Sequence, residues 1–188
     1  MNILILVLLF FAKSSVMANS EPHSKSKQHE GGEAMPAPVK VKLTDGYVHE
    51  WKNFPTIEGQ NIYDGKTVTF GAHKGRMFVA YFIASWCVPC QSIITNLRTV
   101  ETKNKDVLTD FIYIFTHDTQ EDAVTFARTY KIKNAVLANH EMLKNFKNPE
   151  LPAVYFSDRK GWLAGRYLKA TSANIQQLDS TILKFSVF

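Results

Sequence analysis

A chain of 188 residues with 45% hydrophobic and 12% aromatic content can bury one good core, which predicts a single globular domain of about 140 residues behind an N-terminal extension. Its net charge of +5 is spread as Lys interleaved with Glu and Asp, the pattern of a solvated surface and not of a nucleic-acid-binding face. The chain has two cysteines, Cys87 and Cys90, so a structural disulfide framework is excluded and any disulfide within one chain joins these two.

In chain order, Ile3 to Ala12 is an apolar run too short to span a bilayer. Val16-Met17-Ala18 then matches a small-x-small cleavage pattern, and residues 1–18 read as a signal peptide despite lacking a basic residue before the apolar run. The alternative is an uncleaved, short membrane tether. Export would place the cysteine pair outside the cytosol, in a bacterial periplasm or its equivalent. Residues 19–38 form a Ser-, Lys-, Glu-, Gly- and Pro-rich stretch that cannot bury enough surface to offset its ordering entropy, a disordered linker. His23 and His29 in it read as part of a solvated spacer.

The domain is expected over residues 39–188. Val39, Val41 and Leu43 alternate before the turn signal Asp45-Gly46, and a strand is expected over 47–51. A second turn signal, Asp64-Gly65, precedes a strand at Thr67 to Phe70. Met77 to Ala84 is apolar on both faces, as expected of a central strand covered by helices. Cys87-Val88-Pro89-Cys90 follows at once, and Ile93, Ile94, Leu97 and Val100 then recur at helical spacing. The cysteines therefore sit on a strand-to-helix turn. There the helix macrodipole and free N–H groups favour a thiolate at Cys87, with Cys90 close enough to close a small ring.

Phe111 to Phe115 reads as a second buried strand, and Ala123, Val124, Phe126, Ala127 and Tyr130 give the next helix its apolar face. A short amphipathic piece near His140 to Phe146 ends at Asn148-Pro149. Ala153 to Phe156 and Trp162 to Leu168 flank Asp158 to Gly161 as a β-hairpin, and Ser172 is expected to cap a final helix carrying Ile175, Leu178 and Ile182.

This order resembles the thioredoxin fold and, more narrowly, the exported TlpA/ResA-like thiol–disulfide oxidoreductases, over about residues 40–185. The residues that carry the resemblance are Asp64 to Phe70, Lys74-Gly75, Ala84-Ser85-Trp86-Cys87-Val88-Pro89-Cys90, and Leu151 to Phe156 with Asp158 and Gly161. It implies an α/β thioredoxin-like fold, a mixed central β-sheet flanked by helices, with an N-terminal β-hairpin extension. It also implies that Cys87 attacks and Cys90 resolves the mixed disulfide. Pro152 would be a cis-proline beside them, Leu151 would offer backbone hydrogen bonds to a bound polypeptide, and Trp86 would shield the sulfurs.

Polypeptide thiols and disulfides are the implied substrates and a membrane protein the implied electron donor. The only redox group expected is the Cys87–Cys90 disulfide, since no nucleotide or flavin motif appears. Val88-Pro89 resembles reducing members more than oxidising ones. Isomerases usually need a dimerisation region, and none is visible here; a monomer is the expectation. Where such families carry a buried acid or amide, a Glu and a helix-kinking Pro, this chain has Tyr81, Ile93 and Thr95. The usual acceptors for the Cys90 proton are therefore missing, and a phenol with an ordinary pKa near 10 is a poor base.

The rival reading is a copper or zinc carrier, or a binding module that uses the fold without turnover. His117 would then join the cysteines, although copper-delivery proteins generally space their cysteines by three residues. Zinc sites usually need a second cysteine pair or two histidines at ligand spacing, and neither is present. His49, His73 and His140 have no partner at that spacing.

Overall fold

The computed structural model describes residues 53–72 and 75–186. The expected signal peptide (1–18), linker (19–38) and strand pair at 39–43 and 47–51 lie outside the described residues, as do His23, His29, His49, His73 and Lys74. With that strand pair, most of the expected N-terminal hairpin extension is also outside them.

The centre is β3 (Met77–Ile83), in which all seven residues are buried. Its side chains alternate: Met77, Val79, Tyr81 and Ile83 enter one core, while Phe78, Ala80 and Phe82 enter another on the opposite face. A strand apolar throughout fits this position and no edge position. Beside it, β4 (Thr109–Phe115) runs parallel, and β5 (Ala135–Leu137) runs parallel to β4. On β3's other side β6 (Ala153–Ser157) and β7 (Leu163–Tyr167) form the expected antiparallel hairpin. β1 (Ile57–Asn61) and β2 (Thr67–Phe70) add a second hairpin, joined to β5 through β1. The described residues thus form a seven-stranded mixed sheet, ordered β2-β1-β5-β4-β3-β6-β7.

Three helices cover one face. α1 (Val88–Lys103) contributes Ile93, Ile94, Leu97 and Val100, α2 (Gln120–Thr129) Ala123, Phe126 and Ala127, and α4 (Ser172–Ser186) Ile175, Leu178 and Ile182. Each large aliphatic side chain so buried contributes about 1.5–3 kcal/mol. The short α3 (His140–Asn145) supplies Met142 to the other face, which is otherwise rich in rings: Phe54, Phe78, Phe82, Phe146 and Tyr155. Phe146 lies 4.8 Å from Phe82 and 5.0 Å from Tyr155, centroid to centroid.

Two strands are absent from the sequence reading. β1 (Ile-Glu-Gly-Gln-Asn) buries Ile57 and Gly59 and carries no β-branched alternation. β5 spans three residues, too few for any period to register. The last helix begins one residue differently from expectation. Thr171, not Ser172, is its cap: the Thr171 amide donates to Asn174 Oδ1 at 2.9 Å, and the Asn174 amide donates back to Thr171 Oγ1 at 3.4 Å. The Asp64-Gly65 turn holds, with Gly65 at φ 69° donating its amide to Asn61 O at 2.9 Å.

Candidate active site

β3 and β4 run parallel, so both end at the same edge of the sheet, and the loops leaving them meet there. Residues 84–87 turn from β3 into α1, with the Cys87 amide donating to Ala84 O at 3.2 Å. Cys87 is the N-cap of α1, in extended conformation, and its Sγ accepts from the Cys90 amide at 3.2 Å. Pro89 falls in the first turn, where an amide hydrogen has no partner within the helix. The first turn of the helix holds no acidic side chain.

The two Sγ atoms are joined at 2.07 Å, with Cα atoms 5.2 Å apart. The sulfurs differ in access. Cys90 is fully buried among the α1 core residues, whereas Cys87 keeps 5% of its surface. Around it Trp86 is 59% and Val88 72% exposed, an apolar collar at the mouth.

Cys87 opens into a groove of ≈ 590 Å³. Trp86, Val88 and Pro89 form one wall and Thr116 and His117 the next, while Leu143 and residues 148–151 with Lys169 form the far side. The Leu151–Pro152 peptide bond is cis, and Pro152 is buried directly behind Leu151. Two backbone bonds pin this corner: Lys169 N–H to Glu150 O at 3.1 Å and Ala170 N–H to Pro152 O at 2.7 Å. Trp86, Cys87 and Leu151 thus share one groove, with Cys90 and Pro152 packed behind its surface.

Of the three departures, Ile93 is a core side chain and Thr95 an exposed one. Tyr81 is fully buried, its ring 5.0 Å from that of Tyr113 and stacked 6.2 Å from Phe111. Burial, reinforced by neighbouring Tyr113 and the Glu101 carboxylate, pushes its phenol well above the ordinary value. It stays protonated and cannot act as a base. His117 shares the groove and His140 opens α3 on the surface; among the described residues no group of three His, Cys, Asp or Glu side chains could hold a metal ion.

The sequence reading assigned no role to Asp118, Ser85 or Gln91. Asp118 takes two bonds from Ser85, from its amide at 3.0 Å and from its hydroxyl at 2.5 Å. Gln91 Nε2 donates to Ser85 O at 2.7 Å. Asp118 carries no local signal, because its partner lies 33 positions earlier and only the β3–β4 register brings them together.

The AhpC/TSA family matches residues 52–168. No curated protein matches the chain. Among solved structures, a thiol:disulfide interchange protein of the thioredoxin family from Chlorobium tepidum is 20% identical, with a TM-score of 0.62 over 71% of this chain and 97% of that one. A secreted Mycobacterium tuberculosis disulfide oxidoreductase homologous to E. coli DsbE is 17% identical, with a TM-score of 0.60 over 68% of this chain and 95% of its own. A thiol:disulfide interchange protein from Bacteroides sp. is 20% identical, with a TM-score of 0.60 over 78% and 92%. The shared feature is a thioredoxin-like fold.

Proposed function

The chain belongs to the AhpC/TSA family, and from that membership and its thioredoxin-like fold we propose that it is a thiol–disulfide oxidoreductase acting on exported polypeptides through Cys87 and Cys90. One observation carries the reading: a Cys87–Cys90 pair on the first turn of α1, with Cys87 alone facing a groove that the Leu151 corner closes. In the reducing direction the Cys87 thiolate attacks one sulfur of a substrate disulfide. The substrate S–S bond breaks, its other sulfur leaves as a thiolate that takes a proton, and a mixed disulfide forms on Cys87. Cys90 then loses its proton and attacks Cys87 Sγ, releasing the second substrate thiol. The substrate gains two electrons and the protein ends as the Cys87–Cys90 disulfide. With Tyr81 held protonated, the Cys90 proton goes to water or to the departing substrate thiolate.

Leu151 makes no backbone hydrogen bond among the described residues, which supports its role in pairing with an extended polypeptide beside Cys87. Trp86 covers the sulfurs from solvent. The reducing direction is our reading from Val88-Pro89, and it requires a dithiol donor, which we place in the membrane. Residues 1–18 would export the protein to the periplasm, where it works as a monomer.

Insulin disulfide reduction tests the assignment. Cys87→Ser abolishes turnover and Cys90→Ser accumulates mixed disulfides; serine variants with full activity would overturn it. Equilibration with glutathione tests the direction. A potential near about −270 mV marks a reductant, and one near about −120 mV an oxidant. Stoichiometric metal on the purified protein without turnover would favour the carrier reading.

A further inference from the structure

Three consecutive residues after β4 grip the turn that presents Cys87. Thr116 donates its amide to Ile83 O at 2.9 Å, His117 O accepts from Trp86 Nε1 at 3.4 Å, and the Asp118 carboxylate accepts from both the amide and the hydroxyl of Ser85. His117 sits at φ 56°, the left-handed region that a side chain disfavours, and this bend turns its carbonyl to the indole while Asp118 reaches Ser85. From the other side Gln91, in the first turns of α1, holds Ser85 O at 2.7 Å. Every polar group of Ser85 is therefore tied, two positions before Cys87.

We propose that Asp118 is a positioning residue for Cys87, acting through Ser85. The proposal rests on Cys87 being the attacking sulfur. Bonds to a carboxylate are about twice as strong as neutral ones. This pair therefore outweighs the single long contact from Trp86 in holding residues 84–87 against β4. Held so, Cys87 Sγ stays on the Cys90 amide at the helix N-terminus. Released, the turn lets the sulfur drift from that amide, and the thiolate loses the donor that favours it. Displacement of a reacting group by about 1 Å can cost on the order of a hundredfold in rate.

The variants Asp118→Asn and Asp118→Ala separate position from charge. Asparagine removes the charge but keeps the bonds, accepting from the Ser85 amide and donating to its hydroxyl; alanine removes both. In the full-length reduced protein, the pH midpoint of Cys87 alkylation by iodoacetamide and the kcat and KM for insulin reduction are measured. We expect the alanine variant to show a raised midpoint and a kcat about tenfold lower with KM little changed, and the asparagine variant, whose neutral bonds are weaker but keep the geometry, to lie nearer the parent than alanine does. Ser85→Ala keeps the amide bond and falls between them. If asparagine and alanine shift alike, Asp118 acts by charge; if neither shifts, it does nothing for Cys87. Either result overturns the proposal. The alkylation midpoint is read whether or not the protein reduces insulin, so failure of the proposal is separable from failure of the oxidoreductase reading.

Discussion

The hydroxyl of Tyr81 is buried in the core without a hydrogen-bond partner among the described residues. An unpaired buried hydroxyl costs about 1–3 kcal/mol, so Tyr81→Phe is expected to raise stability by about 1 kcal/mol at neutral pH. Urea denaturation measures it, and a loss of that size would show that the hydroxyl has a partner after all. Activity should not change, because Tyr81 stays protonated and its ring packs against Phe111 and Tyr113, within the core. The same burial gives a pH signature. Tyr113, whose hydroxyl donates to Glu101 at 2.9 Å, is also raised by burial first and by the Glu101 carboxylate second. Below pH 10 both tyrosines are neutral, folded or unfolded. Above it the unfolded chain releases protons that the fold retains, so stability falls with pH by about 1.4 kcal/mol per unit for each tyrosine. Denaturation midpoints should therefore hold up to about pH 10 and drop steeply above it, and Tyr81→Phe should roughly halve this part of the slope.

At the scale of elements, β1 depends on a close approach. A Cβ built on Gly59 would lie 2.6 Å from Leu137 O of β5, a backbone atom that cannot move aside without disturbing the sheet. Gly59→Ala should cost about 1–3 kcal/mol, read as a lower thermal midpoint, and a neutral result would mean that β1 sits farther from β5. The start of α4 depends on a reciprocal cap, in which Thr171 and Asn174 each satisfy the other's amide. Thr171→Ala is expected to cost about 1 kcal/mol, whereas Ser172→Ala should fall within a few tenths because Ser172 is not the cap. Comparing the two locates the helix start. α1 is anchored at both ends: Cys87 caps its beginning, and Asn104 beyond its end donates to Val100 O and to Asp179 Oδ1 of α4, each at 2.8 Å.

For the whole molecule, the groove and both cysteines lie within the described residues, so a chain starting at Val39 should reduce insulin as fast as the full-length protein. A large loss of kcat/KM in that truncation would assign residues 1–38 a part in the reaction. The sequence by itself determined much of this fold. A strand apolar on every residue can only be central, helical spacing after Cys90 can only put the cysteines at a helix start, and Asp-Gly and Asp-Arg-Lys-Gly mark hairpins through backbone chemistry that is local. The same locality set the limits. β5 is too short to show a period, and β1 is held by pairing with β2 and β5 rather than by its own alternation. Whether the α4 cap was Thr171 or Ser172 turned on the reciprocal bonds with Asn174, which lies three positions after Thr171. The groove around Cys87 was decided only in three dimensions: β3 beside β4 brings residues 84–87 against 116–118, and the β6–β7 hairpin sets Leu151 opposite. Those contacts join positions tens of residues apart, and no pattern of neighbours along a chain encodes which distant backbone a side chain such as Asp118 will meet.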